Sequence, residues 1–294
     1  MKILITGGEG LVGNSLIEIG KGFNLVATYY APPSEKKCRF LQLDITDKNK
    51  VLDIIEKEKP NIVIHCAAMT DVDAAEENKD IAWKINVEGT KNIAEACERK
   101  RSKMVFLSTD YIFDGKNGPY SESDKPNPIN YYAKTKYEAE KIVKQLKDFL
   151  IIRSTVIYGP KRIGHNFATW LIDKLEKGES VKIVTDQYSN PTFSYDLADK
   201  IFKLIKMKQK GIFNVVGKDY VNRYEFSIKI ADAFMLNKNL IKPITTKELD
   251  IKAKRPLKGG LKTEKIEKLN LKTLSIEESL EWMKKEMKKY EQSK

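Results

Sequence analysis

The chain has little of what marks a membrane, secreted or metal-centred protein. Its 294 residues contain no run of about 18 apolar residues, so no transmembrane helix is expected. The first residues pass straight into a strand-like run and lack the basic-then-apolar layout of a signal peptide. Three cysteines, Cys38, Cys66 and Cys97, have neither disulfide-framework nor zinc-type spacing. Reduced thiols in a cytoplasmic protein are expected. The two histidines, His65 and His165, have no third ligand at useful spacing, so no metal site is expected. His65 reads as a packed core residue, and His165, before Asn166, as a neighbour of substrate. No internal repeat and no low-complexity linker is found.

Positive charge is abundant instead. The formal net charge is +12, most of it from lysine. The lysines are spread along the chain and interleaved with glutamates, and no nucleic-acid module accompanies them. A solvated surface is the expected use, with a positive field that favours a doubly charged diphosphate substrate.

Apolar runs alternate with helical patterns over the first half. Lys2–Thr6, Asn24–Tyr30, Phe40–Asp44, Ile62–Ala67, Lys103–Ser108 and Phe149–Arg153 read as strands. Helical periodicity covers residues 48–59, 80–101 and 131–146. This β-α-β rhythm predicts an α/β fold with a doubly wound parallel sheet of Rossmann type. Residues 1–155 are expected to bind a dinucleotide, with a returning strand near 211–216. Residues 156–294 are expected to form mainly a smaller substrate-binding lobe.

The first strand runs into Gly7-Gly8-Glu9-Gly10-Leu11-Val12-Gly13. Glycines at 7, 10 and 13 supply a tight turn, close approach to a pyrophosphate and close helix packing. The helix from Leu11 aims its positive end at that pyrophosphate. In doubly wound sheets ligands gather at strand carboxyl ends, where Gly7, Asp44, Ala67, Ser108 and Thr109 fall.

Tyr132-Ala-Lys-Thr-Lys136 places a phenol and an ammonium one helical turn apart. Tyr131 pairs with Thr135 instead and reads as packing. A nearby ammonium is expected to lower the Tyr132 pKa and ready it for proton exchange with a carbonyl oxygen. The Thr109 hydroxyl, from Ser108-Thr109-Asp110-Tyr111, can bind the same oxygen. Together with a hydride carrier these groups make an oxidoreductase.

These segments resemble the extended short-chain dehydrogenase/reductases, and within them the dTDP-4-dehydrorhamnose reductases. The resemblance covers nearly the whole chain. It rests on Gly7–Gly13, Cys66–Glu76, Asn86–Thr90, Ser108–Gly115, Pro128–Lys136, Asp186–Thr192 and Arg255-Pro256. It implies NAD(P)H-dependent reduction of the C4 keto group of a nucleotide-activated deoxysugar. Thr109, Tyr132 and Lys136 would be catalytic. Gly7, Gly10, Leu11, Val12, Gly13, Asp44, Ile45, Cys66, Ala67, Ala68 and, more distantly, Asn86 would hold the cofactor with Tyr132 and Lys136. Thr109, Asp110, Tyr111, Asn166, Phe167, Gln187, Asn190, Pro191 and Arg255 would face the nucleotide sugar. A surface ion pair is the competing use of Arg255.

Two departures and one absence stand out. Val156 occupies the position where these reductases carry tryptophan, and Lys258-Gly259 replaces an Asn/Asp-then-Ser pattern. The second strand ends Ala27-Thr28-Tyr29-Tyr30 with no carboxylate for a ribose 2′-hydroxyl. With Lys36, Lys37 and Arg39 nearby, that absence favours NADP(H), with NAD(H) also usable. Alternatives are a sugar-nucleotide epimerase or dehydratase, and a regulatory subunit similar to methionine adenosyltransferase beta. A dehydratase would carry Asp-Glu after the threonine, where this chain has Asp110-Tyr111. No nucleic-acid or membrane partner is expected, and a homodimer is compatible with the sequence.

Overall fold

The structure, a computed structural model, describes residues 1–32, 38–160 and 166–292. Lys36, Lys37 and His165 lie outside the described residues. The chain begins with β1 (Lys2–Thr6), α1 (Leu11–Ile19), β2 (Asn24–Tyr29), β3 (Arg39–Gln42), α2 (Lys48–Glu58) and β4 (Ile62–His65). Two short helices follow, α3 (Val72–Glu77) and α4 (Lys79–Trp83). A π-helical turn over Lys84–Gly89 leads into α5 (Thr90–Lys100). Then come β5 (Lys103–Thr109), α6 (Tyr131–Val143) and β6 (Phe149–Ser154).

The second half adds β7 (Ile157–Tyr158), α7 (Phe167–Glu176), β8 (Val181–Val184), β9 (Tyr188–Ser189), β10 (Thr192–Phe193) and α8 (Ser194–Lys206). It ends with β11 (Gly211–Asn214), β12 (Val221–Asn222), α9 (Arg223–Ala233), β13 (Ile241–Ile244), α10 (Glu264–Glu267) and α11 (Ile276–Glu291).

Seven strands form one sheet in the order β11-β6-β5-β4-β1-β2-β3, all pairs parallel. Alternation along each strand decides which layer a side chain joins. Ile3 and Ile5 pack under α1 and α8. Leu4 points the other way, into the layer of α2, α5 and α6. With both faces covered, the strands are near-continuous apolar runs, and β4 is buried at every residue. A third core joins α7, β8, α9, β13 and α11 around Phe226, Ile230 and Tyr158.

The order reverses between β1 and β4, so their carboxyl ends open a crevice. Gly7 and Ala67 face each other across it: a Cβ on Gly7 would lie 2.9 Å from the Ala67 Cα. The helix expected over residues 80–101 is interrupted at Lys84–Gly89. There the Asn86 amide turns from the helix to bond the Met69 backbone and Thr135. Such turns recur at functional sites.

His65 is buried at the crevice floor, where burial pushes its pKa down to about 3. Its neutral ring bridges Thr6 (2.6 Å) and Thr90 (3.1 Å). The Thr90 hydroxyl donates to the Asn86 carbonyl, so Nε2 carries the proton and Nδ1 accepts from Thr6. The ring is a core residue that fixes the loops after β1 and β4.

Candidate active site

A cleft of about 990 Å³ runs from the glycine loop to the start of α7. Gly7, Gly10, Leu11, Val12, Gly13, Asp44, Ile45, Cys66, Ala67 and Ala68 line one end. Thr109, Tyr132 and Lys136 line its middle, and Asn166 and Phe167 the far side.

The glycine loop is shaped for a close-lying ligand. A Cβ on Gly13 would sit 2.1 Å from the Gly7 carbonyl oxygen, so any side chain there would force the loop open. Gly10 caps α1 without a side chain, which leaves the first-turn N–H groups free of any side-chain cap. Uncapped amides and the helix dipole suit a pyrophosphate. These features fit a dinucleotide.

α6 places Tyr132 and Lys136 on one face because Asn130 caps it, accepting from the Ala133 N–H at 2.8 Å. The Asn130 amide also donates to the Lys254 carbonyl, and Glu76 accepts from the Tyr131 N–H. Tyr132, Lys136 and Thr109 are all buried, and the Thr109 hydroxyl hydrogen-bonds the Tyr132 phenol.

The expected lowering of the Tyr132 pKa is overturned. Burial pushes the phenol up, and only the Thr109 hydrogen bond works against that. The Lys136 ammonium lies 4.2 Å from the centroid of the Phe106 ring. Burial drives its own pKa down to about 8, against the opposing pull of the Glu140 carboxylate. Cys66 is pushed up to about 12 and stays a thiol. Tyr132 therefore keeps its proton at neutral pH, the form an acid needs.

Several expected contact residues are occupied elsewhere. Asn86 lies behind the cleft wall and reaches it only through Met69. Asp110 is buried, and its carboxylate accepts the Gly260 N–H at 3.0 Å. Asn190 accepts the Leu261 N–H at 2.9 Å, and Gln187 donates to Thr246. Pro191 is buried as well. Arg255 pairs with Asp73 at 2.6 Å, the competing use named for it. The Asn166 amide caps α7 and donates to the Gly159 carbonyl, so it presents little free polarity to the cleft. Tyr111 packs edge-on to Tyr132, with ring centroids 6.2 Å apart. Arg39 is held by Glu58 at 3.0 Å, three residues short of the end of β3.

Sequence reasoning missed Arg223. It opens α9, lies 4.6 Å from the centroid of the Phe167 ring, and stands near Asp110 and Arg255. No acid pairs with it among the described residues. It stands alone in sequence, and no motif marks it. Val156 also lines the cleft, at φ +42°, a backbone conformation costly for a β-branched residue. Gly259 has a local reason: a Cβ there would lie 2.8 Å from Asp110 Oδ2.

The family model described as the RmlD substrate binding domain matches residues 1–289. A dTDP-4-dehydrorhamnose reductase structure from Clostridium acetobutylicum superposes with TM-score 0.88 at 34% identity, covering 98% of this chain and 100% of that one. A Bacillus anthracis dTDP-4-dehydrorhamnose reductase in complex with NADP gives TM-score 0.86 at 33% identity, covering 97% and 99%. Methionine adenosyltransferase 2 subunit beta of Bos taurus is 31% identical over 92% of this chain and 83% of its own. The chain belongs to the RmlD substrate-binding-domain family.

Proposed function

We propose, from that membership and the cleft, that the chain is an NAD(P)H-dependent reductase. Its substrate is a nucleotide-activated deoxysugar with a C4 keto group, dTDP-4-dehydrorhamnose in the named relatives. The observation that carries this reading is the meeting of Thr109, Tyr132 and Lys136 in one cleft with an uncapped glycine-loop helix. A bound nicotinamide supplies the hydride. Tyr132 donates the phenol proton to the carbonyl oxygen as charge grows there. Thr109 hydrogen-bonds that oxygen and holds the carbonyl in line. Lys136, one turn along α6 from Tyr132 and lining the same cleft, would bind the cofactor's ribose hydroxyls with its ammonium. Residues 1–155 hold the cofactor and 156–294 mainly shape the sugar site, in a cytoplasmic enzyme. Arg223, with no acid partner among the described residues, takes the substrate diphosphate beside Arg255.

Mixing the protein with NADPH and a dTDP-4-keto-6-deoxysugar should consume the absorbance of the reduced nicotinamide. No turnover across a panel of keto sugars, despite cofactor binding, sinks the reading.

The adenosyltransferase relatives favour a second reading, a regulatory subunit. Capture of an adenosylmethionine synthetase without any carbonyl reduction would establish it.

A further inference from the structure

The end of β2 lacks an acid, yet a carboxylate stands there. It comes from the glycine loop. Gly8 donates its N–H to the Thr28 carbonyl at 2.7 Å, docking the loop on β2. The next residue, Glu9, then accepts the Tyr30 N–H on Oε1 at 2.9 Å. Tyr30 is the first residue beyond β2, and Glu9 and Tyr30 both line the cleft. The second oxygen, Oε2, is shielded from solvent and has no hydrogen-bond partner among the described residues. A buried carboxylate oxygen without a donor is costly, so the site favours a ligand that brings one.

In doubly wound folds the space beyond the second strand receives the adenosine ribose, and an acid there selects the 2′-hydroxyl. Arg39, named above as a nearby cation, is held by Glu58 instead.

We propose that Glu9 is the cofactor-selecting residue: its carboxylate accepts the adenosine 2′-hydroxyl and lets the cleft take NADH. The same charge repels a 2′-phosphate, so it sets the ratio of NADH to NADPH affinity. This deepens the cofactor half of the reductase reading and does not depend on the sugar.

The test is binding alone, by fluorescence titration of the intact protein with NADH, NADPH and 2′-deoxy-NADH. Glu9→Gln should weaken NADH about tenfold, the size of one charge-assisted hydrogen bond. It should leave NADPH unchanged or tighter. The unmodified protein should bind 2′-deoxy-NADH about tenfold more weakly than NADH, and Glu9→Gln should not distinguish them. Equal changes for NADH and NADPH would show that Glu9 only holds the loop, and unchanged ratios would remove it from selection. Either result overturns the proposal. Glu9→Ser, which also loses the bond to Tyr30, repeats the test with a smaller side chain. Binding with intact selectivity but no sugar reduction would instead sink the reductase reading and leave this one standing.

Discussion

At the glycine-loop end of the cleft, polar groups are left open. The α1 amides carry no side-chain cap, and Glu9 keeps one oxygen without a partner among the described residues. At the sugar end, polar side chains are already in use. Asp110, Asn190, Gln187 and Arg255 hold Gly260, Leu261, Thr246 and Asp73. The first end is a rigid βα unit that can present bare backbone to a ligand. The second is assembled from loops distant in sequence, and its polar residues are consumed in fixing them. Of the side chains there, Val156 and Phe167 line the cleft, while Tyr111 packs on Tyr132 and Arg223 on Phe167.

The sharpest challenge to this contrast lies at the boundary. Tyr132→Phe removes the acid and should lower kcat by about 10²–10⁴-fold. NADPH affinity, measured by fluorescence titration, should hold. Comparable turnover would show that another group supplies the proton. Arg223→Ala should raise KM for the nucleotide sugar roughly tenfold or more, with kcat and cofactor affinity little changed. An unaltered KM would mean that the free cation serves no substrate.

A smaller effect comes from pH. Lys136 titrates at about 8, below the usual lysine value because burial disfavours its charge. Its ammonium is present at neutral pH and lost as pH rises through 8. Hence kcat/KM should fall about fivefold from pH 8 to pH 9, as a single-group titration requires. Lys136→Arg, which stays charged, should abolish that fall in whatever activity it retains. The smallest change is expected from Asp110→Asn. The amide oxygen can still accept the Gly260 N–H, so kcat/KM should move less than about threefold. Asp110→Ala leaves that N–H without its acceptor and should cost about 1–3 kcal/mol in denaturant unfolding. A large KM effect from Asp110→Asn would return Asp110 to the substrate surface.

The contrast also explains what was legible in the sequence. Glycine spacing, apolar strand runs and Tyr132–Lys136 are local patterns, and local geometry carries them into the structure unchanged. The parallel sheet and the crevice between β1 and β4 followed from them. The π turn at Lys84–Gly89 was not legible, because Asn86 trades helix geometry for bonds to Met69 and Thr135, 17 and 49 residues away. Tyr132 lines the cleft, but its titration was misjudged, since spacing reveals a neighbouring charge and not the burial of both groups. Asp110 was read as facing sugar, but its partner lies 150 residues on. Glu9 escaped notice because an acid was sought on the second strand, and this one reaches it from the loop.

The segment around Gly260 has a practical consequence. Lys258 bonds to Gly115, Leu257 to Tyr188, Gly260 to Tyr120 and Leu261 to Asn190. Residues 110–120, 187–192 and 255–262 therefore behave as one structural part in three pieces. A chimera that borrows one piece from a relative would mismatch the other two. Directed evolution toward a new sugar would move faster by shuffling the three together than by saturating any one alone.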